Sequence, residues 1–145
     1  MDKQQLFDTC VDHLFAQRTR SFDIEREICM YRGPNGTKCA VGALIKDEYY
    51  SEEMEGLTVD SHDGFGRNGP LAAIEKSIGR ELTTSDVVML LSLQQAHDRA
   101  EDNCETGEYG VPVNYGIDGI INVARMNTVL RMIALSHGLV YHDRV

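Results

Sequence analysis

The chain has 145 residues, 42% of them apolar, and a formal net charge of −9. That length suits one domain with a single core, and the apolar content excludes wholesale disorder. The negative balance argues against a nucleic-acid binder with a broad basic face.

No apolar run approaches the roughly 20 residues needed to cross a bilayer. The opening Met1-Asp2-Lys3-Gln4-Gln5-Leu6 has no signal-peptide core, so the cytoplasm is the expected location. The four cysteines, at 10, 29, 39 and 104, include no CxxC pair, which fits reduced thiols. Charge is distributed unevenly. From Asp47 to Asp63 there are seven acids and no Lys or Arg; from Asp98 to Asp118 there are six acids against Arg99 alone. Such tracts repel DNA and attract basic protein surfaces.

In chain order, Leu6, Phe7, Cys10, Val11, Leu14 and Phe15 recur at spacings of three and four, predicting a helix from about Asp2 to Gln17. His13 falls on its polar side and is expected at the surface. The stretch Glu27 to Ile45 then reads as strand, turn and returning strand, with Gly33-Pro34-Asn35-Gly36 as the turn. A three-residue Pro-Asn-Gly loop places Tyr31 opposite Cys39 and puts Cys29 on the same face. A two-residue Asn-Gly loop separates the thiols; Pro34 favours the former. A short helix is expected to begin near Lys38 and to end before Tyr49-Tyr50.

Ser51 to Gly69 loses all periodicity and reads as an irregular surface loop. Pro70 opens a helix to about Ile78, which Gly79 stops. Thr84 or Ser85 caps a further helix to about Asn103. Glu105 to Tyr115 is expected to be a loop. The last helix, Asp118 to Ser136, ends at Gly138. The fold expected is mainly α with a small β-hairpin (α+β), a single compact domain of four to five helices over residues 1–145.

Several patterns bear on chemistry. Gly64-Phe-Gly-Arg-Asn-Gly69 matches GxGxxG, but the strands of a dinucleotide fold are missing around it. Cys39 enters the short helix, where the dipole would favour a thiolate, with His62, His97, His137 or His142 as a base. Structural zinc sites bring ligands in close pairs, which Cys29, Cys39 and Cys104 do not supply. Asp60-Ser-His-Asp-Gly64 lacks the offsets of a calcium loop. No metal or cofactor is expected. His97 and Asp98 are adjacent, yet neighbours on a helix point about 100° apart, so adjacency does not make them a pair. His97 is instead expected to bond a backbone group beneath the hairpin, with Asp98 solvated.

Cys29-x-Tyr31-Arg32…Gly36-x-Lys38-Cys39-Ala40-x-Gly42-x-Leu-Ile45, with Leu90-x-x-Leu-Gln-x-x-His-Asp98 further on, resembles a group of small proteins from tailed bacteriophages and prophages. The resemblance implies a phage context and brings no catalytic residues with it. In that context the expected function is an acidic interaction protein that inhibits a host nucleic-acid-binding or defence complex, such as an anti-CRISPR inhibitor. The partner-binding residues would be Asp47, Glu48, Tyr49, Tyr50, Glu52, Glu53 and Glu55; the two acidic tracts are interleaved with Tyr49, Tyr50, Met54, Tyr109 and Tyr115. The partner would be a host protein with a basic surface, without direct contact to nucleic acid or membrane. Two alternatives stand beside it. One is an enzyme using Cys39 with His97 or His62; the other is a helical homo-oligomer joined through the last helix, where Met126 and Met132 lie.

Overall fold

The computed structural model describes the backbone of residues 1–61, 69–103 and 108–145, with side chains outside positions 101–111. Among the described residues are four α-helices: α1 (Lys3–Gln17), α2 (Pro70–Ile78), α3 (Thr84–Asp98) and α4 (Val123–Ser136). Two antiparallel strand pairs complete a mainly helical α+β fold, β1 (Phe22–Asp23) with β2 (Ile28–Cys29) and β3 (Ala100–Asn103) with β4 (Glu108–Pro112).

The helices start where the side chains can cap them. Asp2 accepts from the Gln5 N–H at 2.8 Å while the Gln5 side chain accepts from the Asp2 N–H, closing a capping box before α1. Pro70 and Gly79 bound α2 as expected. For α3 the cap is Thr83, in a box with Asp86, one residue before the expected caps. Asp86 is buried and pairs with Arg80 at 2.8 Å, which fixes the α2–α3 connection.

The α1 stripe of Leu6, Phe7, Cys10, Val11 and Leu14 meets the turn at Val41–Leu44 and the inner face of α3; α4 closes over α3 with Met126 and Leu130. Met89, Leu90 and Leu93 lie fully buried between them. Each such side chain stabilises the fold by roughly 1.5–3 kcal/mol through the apolar surface it removes from water. The chain's end is stitched to its start. Gln4 exchanges two hydrogen bonds with the backbone of Val140, at 3.0 and 2.9 Å, and the Phe7 and Tyr141 rings meet edge to face. The Asn127 side chain clamps both the N–H and the C=O of Arg144.

Several expectations are corrected here. The strand at Ile28–Cys29 pairs with Phe22–Asp23 and not with the segment after the turn. Across that turn only Arg32 and Lys38 form a bridge, with Gly33 N–H donating to Thr37 C=O at 2.8 Å. The register is that of the three-residue loop, and Gly36 takes φ +73°. Pairing stops there because Ala40 turns into the single 3₁₀ turn at Val41–Leu44, which replaces the expected helix from Lys38. Gly42 makes that turn possible. A Cβ there would lie 2.3 Å from the Tyr31 carbonyl oxygen, so the backbones touch.

Helix α3 stops at Asp98, five residues early, because the chain turns out into β3. Much of the expected loop from Glu105 is strand β4. Helix α4 starts late. Ile120 and Ile121 are extended and bridge to Thr19 and Tyr115, and Asn122 caps the helix. His13 is half-buried and donates from Nε2 to the Lys38 C=O at 2.9 Å, so it is not a free surface group. Burial lowers its pKa, although the Lys38 bond opposes this. Among the described residues no helix is long and apolar enough to cross a membrane.

Candidate functional site

Two regions carry the chemistry: an acidic shelf at positions 47–55, and a cleft beneath the β1–β2 hairpin.

The shelf consists of two single 3₁₀ turns, Asp47–Tyr49 and Glu52–Met54. Asp47, Glu48, Glu52 and Glu53 are exposed. Tyr49 and Tyr50 are half-buried against the core and Met54 is fully buried, so the turns are anchored from below. Arg32 reaches under the shelf. It pairs with Asp47 at 2.6 Å, donates to the Ile45 C=O and stacks on the Tyr50 ring at 4.6 Å.

Glu55 behaves differently from its neighbours. Its carboxylate accepts from the Tyr31 N–H at 2.7 Å, more weakly from the Arg32 N–H, and from the Tyr50 hydroxyl at 3.3 Å. Burial raises its pKa against these three bonds. Half-buried, it holds the 31–32 backbone. Tyr115 is likewise buried, so it does not join Tyr49 and Tyr50 at the surface. The Tyr109 side chain lies outside the described residues.

The cleft has a volume of about 540 Å³. The β1–β2 hairpin forms one wall, residues 56–58 another, and the end of α3 its floor. A relay of hydrogen bonds fixes the second wall. The Tyr31 hydroxyl donates to Leu57 C=O at 2.7 Å and accepts from Gln94 Nε2 at 2.8 Å, while Gln94 Oε1 accepts from the Val59 N–H at 3.0 Å.

Beneath the floor His97 is fully buried and joined on both sides. The Ser21 N–H donates to its Nε2 at 3.0 Å. A backbone N–H can only donate, so Nε2 carries no proton and Nδ1 does. That proton goes to Asp98 Oδ1, 2.6 Å away. The two neighbours therefore do act together, contrary to the expectation from helical geometry, and Asp98 is only partly solvated. His97 does bond a backbone group, Ser21, but at the base of the β1–β2 hairpin and not beneath the Gly33–Gly36 turn as expected.

Cys29 Sγ, a ring nitrogen of His97 and an Asp98 oxygen lie within 4.8 Å of one another, a grouping that spacing alone did not reveal. Its donor set is of the kind that binds zinc. The hydrogen bonding fits a cation poorly. A metal on Nδ1 must expel its proton, while Ser21 holds Nε2 as an acceptor, so the ring would have to be an anion. The site is better described as a locked tautomer than as a metal centre.

The thiols are equally constrained. Cys39 is 2% exposed, and its Sγ accepts from the Gly42 N–H at 3.2 Å. Burial pushes the thiol well above its usual range and outweighs that bond. The thiolate expected from a helix dipole therefore does not form at neutral pH, and His97 offers Cys39 no open nitrogen. Burial likewise pushes Cys29 up to about 12, with the Asp98 charge adding to the rise and Arg20 opposing it. His62, Cys104, the calcium-like run from His62 onward and most of the GxGxxG run lie outside the described residues.

No protein-family model, curated protein or solved structure matches the chain significantly.

Proposed function

We propose that the chain is a phage-encoded interaction protein that inhibits a host nucleic-acid-binding or defence complex, an anti-CRISPR or related inhibitor, by offering an acidic face to its basic channel. The observation that supports this reading is the shelf. Four exposed carboxylates, Asp47, Glu48, Glu52 and Glu53, are held on turns whose Tyr49, Tyr50 and Met54 are seated on the core. Charges displayed on a rigid support lose little conformational freedom on binding, which favours affinity and electrostatic steering alike. Glu55 stands beside them half-buried, its carboxylate bonded to the Tyr31 and Arg32 backbone.

The test is binding of the purified chain to RNA-guided defence complexes across a salt series. Affinity should fall steeply with salt, and Glu48→Lys/Glu52→Lys/Glu53→Lys should abolish it. Binding that ignores salt, or that survives the three reversals, rejects the reading.

A second reading, a homodimer through α4, is favoured by Met132 and Leu135, which are 65% and 83% exposed on that helix. Light scattering at micromolar concentration decides it. A dimer that Met132→Lys/Leu135→Lys converts to monomer supports it, and a monomeric wild type removes it.

A further inference from the structure

The geometry points to the cleft beneath the β1–β2 hairpin as a binding site for an organic carboxylate carried on an apolar body. Arg20 is its centre. The backbone around Arg20 is pinned on two sides, by Arg20 N–H donating to Gly119 C=O at 2.8 Å and by the Ser21–His97 bond. The guanidinium lies over the Phe22 ring at 4.5 Å, and its Nη2 donates to the Asp98 C=O at 3.0 Å. Its Nε is sealed within the protein without a hydrogen-bond partner, so a ligand would have to meet the Nη end of the guanidinium. Among the described residues no carboxylate lies within ion-pairing distance of it, in a chain whose net charge is −9.

A half-buried cation without a counter-charge is costly unless something supplies one. Among the described residues, neither of the two acids that line the cleft is within ion-pairing distance of the guanidinium. Asp98 turns Oδ1 to His97, and Glu27 stands on the exposed rim. The remaining walls are largely apolar, with Phe22, Ile28, Met30 and Leu57 among the lining residues. Ile24 lines the mouth while 82% exposed, an apolar surface that a bound chain would cover. One guanidinium offers a fork for one carboxylate, whereas a polyphosphate needs several cations. The volume is within the range of small-molecule pockets. The ligand is either a free organic acid or the C-terminal carboxylate of a peptide, and none of the shelf residues takes part.

Amide NMR of the full chain tests this with sodium octanoate, octanol, and the peptide acetyl-Ala-Leu-Phe as acid and as amide. Octanoate or the peptide acid should shift the amides of residues 20–31 and 56–58, and the matched octanol or peptide amide should bind about tenfold more weakly or worse. Binding by octanoate names a free acid as the source; binding by the peptide acid alone names a C-terminus. Arg20→Met should weaken binding by a similar factor. Ile24→Asp, at an exposed position that tolerates change, should weaken it independently should Arg20→Met disturb folding. The proposal is overturned if neither acid shifts the cleft amides, or if the neutral analogues bind as well as the acids.

Discussion

The backbone N–H of Ser21 donates to Nε2 of His97 across 3.0 Å, joining positions 76 residues apart at the base of the β1–β2 hairpin. Removing the ring leaves a buried donor without a partner and a void where the ring was. His97→Ala should therefore lower stability by about 3–5 kcal/mol. His97→Gln, which can return an acceptor near the Nε2 position, should cost distinctly less. Urea unfolding of both variants checks the ranking, and equal losses would show that the void matters and the bond does not.

Gly36 and Gly42 are needed for different reasons. At Gly36 a Cβ meets nothing within 4 Å, and only the backbone angle, φ +73°, resists substitution. Gly36→Val should cost about 1–3 kcal/mol from that strain. Gly42 has no such angle but touches the Tyr31 carbonyl. Even Gly42→Ala should cost more than about 3 kcal/mol, since one backbone must move away from the other. Thermal melts showing Gly36→Val as the worse of the two would contradict the close approach.

Glu55 should give stability an inverse pH slope. Its folded pKa lies above the ordinary 4.5, chiefly through burial. A carboxyl raised in this way favours the folded state while protonated. That contribution is complete below the unfolded value and is lost as pH rises through the folded one. Glu55→Gln should flatten the slope just above pH 4.5, measured as urea midpoints against pH. An unchanged slope would mean that the three hydrogen bonds cancel burial, and a change in the opposite sense that they outweigh it.

Alkylation should separate the thiols by position. Cys10 and Cys39 are sealed, and burial holds both thiols protonated. Cys29 is half-exposed, with its thiol pushed up to about 12. In the native protein at pH 7, iodoacetamide should modify Cys29 slowly, and Cys10 and Cys39 only upon unfolding. Mass mapping of the labelled peptides reads the order. Fast labelling of Cys39 at pH 6 would restore it as a nucleophile.

The shelf carboxylates carry charge without carrying the fold. Glu48, Glu52 and Glu53 are exposed, so each reversal to Lys should change stability by no more than about 0.5 kcal/mol. A large drop in melting temperature for the triple reversal would mean that loss of binding reports misfolding.

How much of this was legible in the sequence depended on the range of the interactions. Asp2, Pro70 and Gly79 set helix ends through bonds within a turn, and those boundaries were readable. The Pro-Asn-Gly loop and its register were readable for the same reason. The partner of Ile28–Cys29 was not. A ladder of two residues, Phe22–Asp23, has no periodicity to detect, and its place is set by Ser21 reaching His97. The cleft was invisible on the same account, because it exists only where that hairpin meets the end of α3. The shelf acids were legible as charge, but only the fold shows Glu55 turned inward to the Tyr31 backbone.

The stitching of Gln4 to Val140 also sets an order for folding. Gln4 is translated 136 residues before its partner Val140, and Phe7 likewise long before Tyr141. The apolar stripe of α1 must wait through that stretch of synthesis before these neighbours arrive. In that interval it is a surface for chaperones or for self-association, and the segment at 140–144 acts as a late-closing latch.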